Sequence, residues 1–98
     1  MDLANRQPHR IVFRLHAVQR MFERGVTVDD VREVLAHGET IERYPNDMPY
    51  PSRLICGWRE GTPLHVVVAD NSVNDETIIV TVYVPDTRWE NDFRRRKT

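Results

Sequence analysis

His16, Arg20 and Arg24 recur every four residues in the stretch RLHAVQRMFERG (14–25). Three more residues with useful chemistry, Arg53, His65 and Tyr83, sit in or beside later apolar runs. In a helix, positions four apart share one face, so the first set puts an imidazole and two guanidiniums on a single stripe. Like charges one turn apart destabilise an isolated helix by about 0.2–0.5 kcal/mol per pair, so the stripe needs acidic neighbours or an anion. Together the six residues are the types a metal-free ribonuclease uses: a base for the 2′-hydroxyl, a proton donor for the leaving oxygen, and cations for the phosphorane charge. In that scheme His16 or His65 takes the proton, and the other histidine or Tyr83 returns one. Arg20, Arg24 and Arg53 hold the phosphate. Helix and sheet must then share one cleft, because proton transfer needs groups within about 2.6–3.2 Å.

Each residue also has a plainer reading. The helix stripe can be a solvated face bridged to Glu23 or Asp29. His65 lies in the valine-rich run PLHVVVA (63–69) and can be a satisfied, half-buried residue. Tyr83 can be core with its hydroxyl at the surface, and Arg53 can pair with Asp47 or Glu42 across strands. His9 and His37 carry no further signal. One cysteine, Cys56, cannot form an internal disulfide, and neither Cys-x-x-Cys nor His-Glu-x-x-His is present. No metal and no cofactor are expected.

The elements that must position these residues follow from periodicity. Leu15, Val18 and Phe22, with Ala17 and Met21 beside them, give helical spacing from about Arg14 to Arg24, and Gly25 is placed to end that helix. The expectation is that Leu15, Val18 and Phe22 pack on a sheet while His16, Arg20 and Arg24 stay exposed. Thr27 with Asp30 three residues on forms a capping signal, flanked by Val26 and Val31 as an apolar staple, for a second helix ending at Gly38.

Beyond Gly38 the period becomes two. ETIERY (39–44) reads as a polar edge strand, and PNDMPYP (45–51), with three prolines, as a rigid loop. SRLICGW (52–58), PLHVVVA (63–69) and TIIVTVYV (77–84) read as strands joined by turns at REGT and DNSVNDE. The fold expected is α+β: two N-terminal helices, then a three- to four-stranded antiparallel sheet. Alternation puts Leu64, Val66 and Val68 in the core and His65, Val67 and Ala69 on the other face. If register aligns them, Arg53, His65 and Tyr83 gather on one side of the sheet.

Ninety-eight residues suit one domain, 1–98, with a tail from about residue 86. The net charge of -1 hides an uneven spread: basic residues dominate 1–24 and the run RRRK (94–97), while the middle is acidic. Such basic ends form a patch for RNA, a face for an acidic protein, or solvated termini. MDLANRQPHR has no apolar run, and nothing later reaches the roughly 18 residues that span a bilayer, so a cytoplasmic protein without membrane contact is expected.

The words RLHAVQRMFERGVTVDDVREVLAHGE, YPNDMPYPSRLICGW, PLHVVVAD and IIVTVYVPD, spread over residue 13 to about 95, resemble an uncharacterised bacterial DUF family of small "HA..RM..RGI" proteins. Its members often sit beside YgiT-type, MqsA-like zinc-finger, helix-turn-helix antitoxins and look like toxins related to the RelE and MqsR endoribonucleases. The resemblance implies a RelE/MqsR-like fold. It implies a type II toxin that cleaves messenger RNA without metal, on or off the ribosome, and a cognate zinc-finger/helix-turn-helix antitoxin as partner. The family's recurring polar positions fall on His16, Arg20, Arg24, Arg53, His65 and Tyr83. RelE-like toxins are usually basic and lysine-bearing, whereas this chain has one lysine, Lys97. The competing expectation is a non-catalytic protein- or nucleic-acid-binding module.

Overall fold

Local signals in the sequence fix the two helices of the domain. The computed structural model describes residues 10–86, 88–89 and 92–95; His9 and the end of the basic run, 96–97, lie outside these. α1 (Leu15–Arg24) and α2 (Val28–His37) are joined by a short corner. Gly25 takes the left-handed conformation (φ 65°), and its N–H reaches the carbonyls of Met21 and Phe22, a turn a side chain would strain. Thr27 Oγ1 accepts from Asp30 N at 3.0 Å, while Asp30 Oδ2 accepts from Thr27 N at 2.8 Å, a reciprocal cap. That backbone N–H bond is the main reason the Asp30 carboxyl titrates below its ordinary value, with Arg59 also lowering it. Arg59 reaches across from the sheet, donating to Gly25 O at 2.9 Å and to Asp30 Oδ2 at 3.2 Å.

The rest is a five-stranded sheet in the order β1-β5-β4-β3-β2. β2 (Glu39–Tyr44), β3 (Ser52–Arg59), β4 (Thr62–Asn71) and β5 (Glu76–Tyr83) form an antiparallel meander. Glu60 and Gly61, both at positive φ, make the two-residue turn between β3 and β4. The strand absent from the expectation is β1 (Arg10–Phe13), which pairs in parallel with β5, Arg10 opposite Glu76 and Phe13 opposite Ile79. The count of three to four antiparallel strands is therefore corrected to five among the described residues, with one parallel pair. Four residues, RIVF, carry too little alternation to announce a strand, and their partner lies at the other end of the chain.

Both helices cover one face of the sheet. Ala17 and Met21 of α1 and Val31 and Val34 of α2 close on Ile55, Val66, Val68, Ile79 and Val82. Gly57 permits the close approach of α2, since a Cβ there would lie 2.7 Å from a Val34 methyl. The expected packing face of α1 is corrected. Leu15 and Phe22 are 73% and 89% exposed, and Val18 is exposed too. Helical spacing admits either Leu15/Val18/Phe22 or Ala17/Met21 as the inner stripe. The single residue between β1 and α1 sets the helix rotation, and the small Ala17 lets the axis come near β5.

On the opposite face lie Cys56, His65 and Tyr83, aligned across three strands, and farther along Ser52, Val67 and Ala69. The loop 45–51 and the segment after Pro85 border this second face.

Candidate functional site

On α1, His16 and Arg24 are exposed and Arg20 is partly so, all on one flank of the helix as the four-residue spacing requires. Arg20 Nη1 donates to Glu23 Oε2 at 2.9 Å, so an acidic neighbour offsets part of the self-repulsion of the stripe. His37, at the end of α2, lies 3.6 Å from Glu33.

His65 is wholly buried, with 0% exposure. Its Nε2 lies 2.8 Å from the Phe93 carbonyl, which can only accept, so that nitrogen carries a proton. Nδ1 lies 3.2 Å from the Tyr83 hydroxyl, which donates to it in the neutral ring. Trp89 stands edge-on to the imidazole at 4.5 Å and Tyr83 at 5.2 Å. Both nitrogens are engaged and the ring is enclosed by aromatic groups. Phe93 packs edge-on to Trp58, and Arg94 pairs with Glu39 at the start of β2, so the C-terminal segment is fastened over this half of the sheet. Cys56 beneath it is 3% exposed, and burial raises its thiol above the ordinary range.

Arg53 does not join His65 and Tyr83, and the expected gathering of the three on one side is corrected. Residues directly opposite in an antiparallel pair share a face. Arg53 stands opposite Val68, a core residue, whereas His65 stands opposite Cys56 and Tyr83. Arg53 lies on the helix side, where it grips Asp70 through Nε at 2.8 Å and Nη2 at 3.3 Å and donates to Thr40 Oγ1 at 3.1 Å. The single cleft uniting His16, Arg20 and Arg24 with His65 and Tyr83 is corrected for the same reason: the sheet itself separates α1 from His65.

The second face holds a feature that sequence reasoning missed. Beyond the sealed half, a cavity of about 190 Å³ opens, floored by Val67, Ala69 and Val80 and walled by Pro49 and Tyr50. Val80 is the bulged residue where the β4–β5 register shifts. The Tyr50 hydroxyl accepts from Asn71 Nδ2 at 3.3 Å, which fixes that wall. Arg14 and Asp47, both exposed, line the cavity with Ser52, whose hydroxyl donates to Asp47. Arg14 arrives there because Phe13 points into the core and its own N–H is held by Ile79 O at 3.1 Å. The sequence signal was the proline-rich loop facing a small residue in a strand of valines; only register joins the two.

No helix among the described residues is long and apolar enough to cross a membrane. No curated protein and no solved structure matches the chain. One family model does, over residues 13–84, from just ahead of α1 to just past β5, and on that match the chain belongs to the family described as Domain of unknown function (DUF4258).

Proposed function

We propose that this chain is the toxin of a toxin–antitoxin pair, akin to the RelE and MqsR endoribonucleases, and that it acts on RNA through the outer flank of α1. The observation that carries the reading is the exposed stripe His16, Arg20 and Arg24, on which a histidine open to solvent stands beside two guanidiniums. Guanidiniums suit phosphate oxygens because they present a fixed fork of donors. His16 is then the proton acceptor for the 2′-hydroxyl as its oxygen bonds to phosphorus, and solvent water protonates the 5′-oxygen that leaves. His65 and Tyr83 hold the sheet together instead, since their polar atoms are engaged within the fold.

The antitoxin, a zinc-finger/helix-turn-helix protein, covers the apolar residues Leu15, Val18 and Phe22 on the same helix. An apolar stripe exposed along one helix suits docking by a partner protein. That stripe also favours the second reading, a non-catalytic module in which α1 only binds a partner.

Purified protein incubated with labelled RNA and a chelator separates the two. Under the first reading RNA is cut without metal, His16→Ala slows cutting by about 10²–10⁴-fold, and Arg20→Ala with Arg24→Ala abolishes both RNA binding and growth arrest on expression. RNA left intact by the wild-type protein, with growth unaffected, favours the module.

A further inference from the structure

The cavity on the second face offers a different chemistry from the α1 stripe. Its volume, about 190 Å³, lies below the roughly 300–1,000 Å³ of sites for drug-sized ligands, so its occupant is a single planar ring system rather than an extended molecule. The floor of Val67, Ala69 and Val80 and the walls of Pro49 and Tyr50 are apolar or aromatic, suited to the two faces of a flat heterocycle. The prolines at 45, 49 and 51 restrict the loop, so the wall is built before anything binds.

At the rim the polar groups are of two kinds. Asp47 is a carboxylate, an acceptor only, and Ser52 donates its proton to Asp47 and so presents lone pairs. The edge of the ring facing them must therefore donate. Arg14 presents a guanidinium, and among the described residues no carboxylate pairs with it. A ring with adjacent N–H donors on one edge and an anion attached elsewhere meets all three requirements. Among the nucleobases, guanine carries two neighbouring donors, N1–H and N2–H, that a carboxylate accepts side by side. Adenine and cytosine offer a single amino group beside an acceptor, and uracil one N–H between two carbonyls.

We propose that this cavity is a guanine-nucleotide pocket: the base lies on Val67 and Ala69 beside Tyr50, Asp47 accepts from N1–H and N2–H, and Arg14 holds the adjoining phosphate. The pocket deepens the RNA reading and rests on it only for the source of the nucleotide, a guanosine within RNA rather than a free one. Arg14 is two residues from His16 in the chain, at most about 7.6 Å between Cα atoms, so a strand whose phosphate Arg14 holds leaves the pocket at the edge of the sheet where α1 begins.

Calorimetric titration with GMP, AMP, CMP and UMP tests the pocket by itself. GMP is expected to bind at least tenfold more tightly than the other three, in line with the discrimination of one good bidentate contact. Asp47→Asn should erase that preference while leaving the fold, because the amide oxygen still accepts from Ser52. Arg14→Ala should weaken GMP severalfold and leave guanosine unchanged. Ala69→Leu should fill the floor and stop binding, with circular dichroism checking that the sheet persists. Equal binding of all four nucleotides, no binding of GMP, or GMP binding that survives both Asp47→Asn and Ala69→Leu overturns the pocket. Binding of N-acetyl-arginine amide in place of GMP overturns it too, in favour of a protein partner's arginine.

A hexanucleotide with one guanine, compared with its adenine counterpart, tests the source: preference for the guanine form, lost in Asp47→Asn, supports RNA. If GMP binds but Arg20→Ala with Arg24→Ala leaves RNA binding untouched, the α1 reading fails and the pocket stands. If those variants lose RNA while GMP never binds, the pocket fails and the α1 reading stands.

Discussion

One face of one sheet is finished in two ways. Around His65 the polar atoms are matched by Tyr83 and by the Phe93 carbonyl, and Trp89 excludes water. Around Ala69, a few residues along the same strand, the floor lines a cavity, the wall is a proline-bounded loop, and the charged groups at the rim face solvent. The strands and their spacing are shared, so the difference lies in what crosses over them. His65 lies beneath a fastened segment with its polar atoms matched, whereas the floor at Val67 and Ala69 lines a cavity between an arginine and an aspartate. Residue type alone points to the first region as chemical, and there His65 is wholly buried with both ring nitrogens engaged.

The contrast is sharpest in stability. His65→Ala removes a ring from a closed site and leaves the Phe93 carbonyl and the Tyr83 hydroxyl without this partner, so it should cost about 2–4 kcal/mol. For a domain of this size that lowers the melting temperature by about 10–30 °C, measurable by calorimetry. A variant that melts like the wild type would mean that the segment does not seal the face. The Cys56 thiol gives the same comparison without mutation: buried and titrating high, it should resist alkylation at pH 8 in the native protein and react at once in denaturant. Fast native labelling would show the segment opening.

A helix-side control sets the scale for an ordinary local contact. Asp30→Ala should cost about 1 kcal/mol through loss of the cap. Because the folded Asp30 titrates below its unfolded value of 3.8, the unfolded chain takes up the proton first as pH falls. The stabilisation is thus present above about pH 4 and disappears on further acidification, and the variant should converge with the wild type there. Equal destabilisation at pH 7 and pH 2 would rule out the carboxylate as its source. The smallest effect belongs to the open half: Arg14→Ala should shift stability by no more than about 0.5 kcal/mol. A larger loss would make Arg14 a structural residue and blur the comparison.

What the sequence disclosed was whatever is settled over a few residues. Thr27 and Asp30 make their cap with each other, Gly25 ends α1 by its own conformation, and Leu64, Val66 and Val68 alternate into the core. The inward rotation of α1 was not legible, because two sets of apolar residues satisfy one helical period and the neighbouring strand chooses between them. Arg53 lies one residue out of phase with the position opposite His65, and one residue flips a side chain to the other face. The partner of His65 is a backbone carbonyl at Phe93, and a carbonyl leaves no mark on composition. The cavity depends on a bulge at Val80 and on the register that sets Ser52 opposite Ala69, neither of which a single strand reveals.

The parallel pairing of β1 also orders events in time. Among the described strands β1 pairs only with β5, and α1 packs chiefly on β5, the last of them to be synthesised. At translation rates of about 5–20 residues per second, several seconds separate the emergence of Phe13 from that of Tyr83. Over that interval a ten-residue α1 has no surface to dock on and is too short to persist alone. The meander and α2 can assemble first, from near neighbours, and the amino-terminal piece is added by a long-range closure. A nascent chain halted before β5 therefore leaves Ala17 and Met21 bare to chaperones and proteases, however well Gly25 and Thr27 are placed.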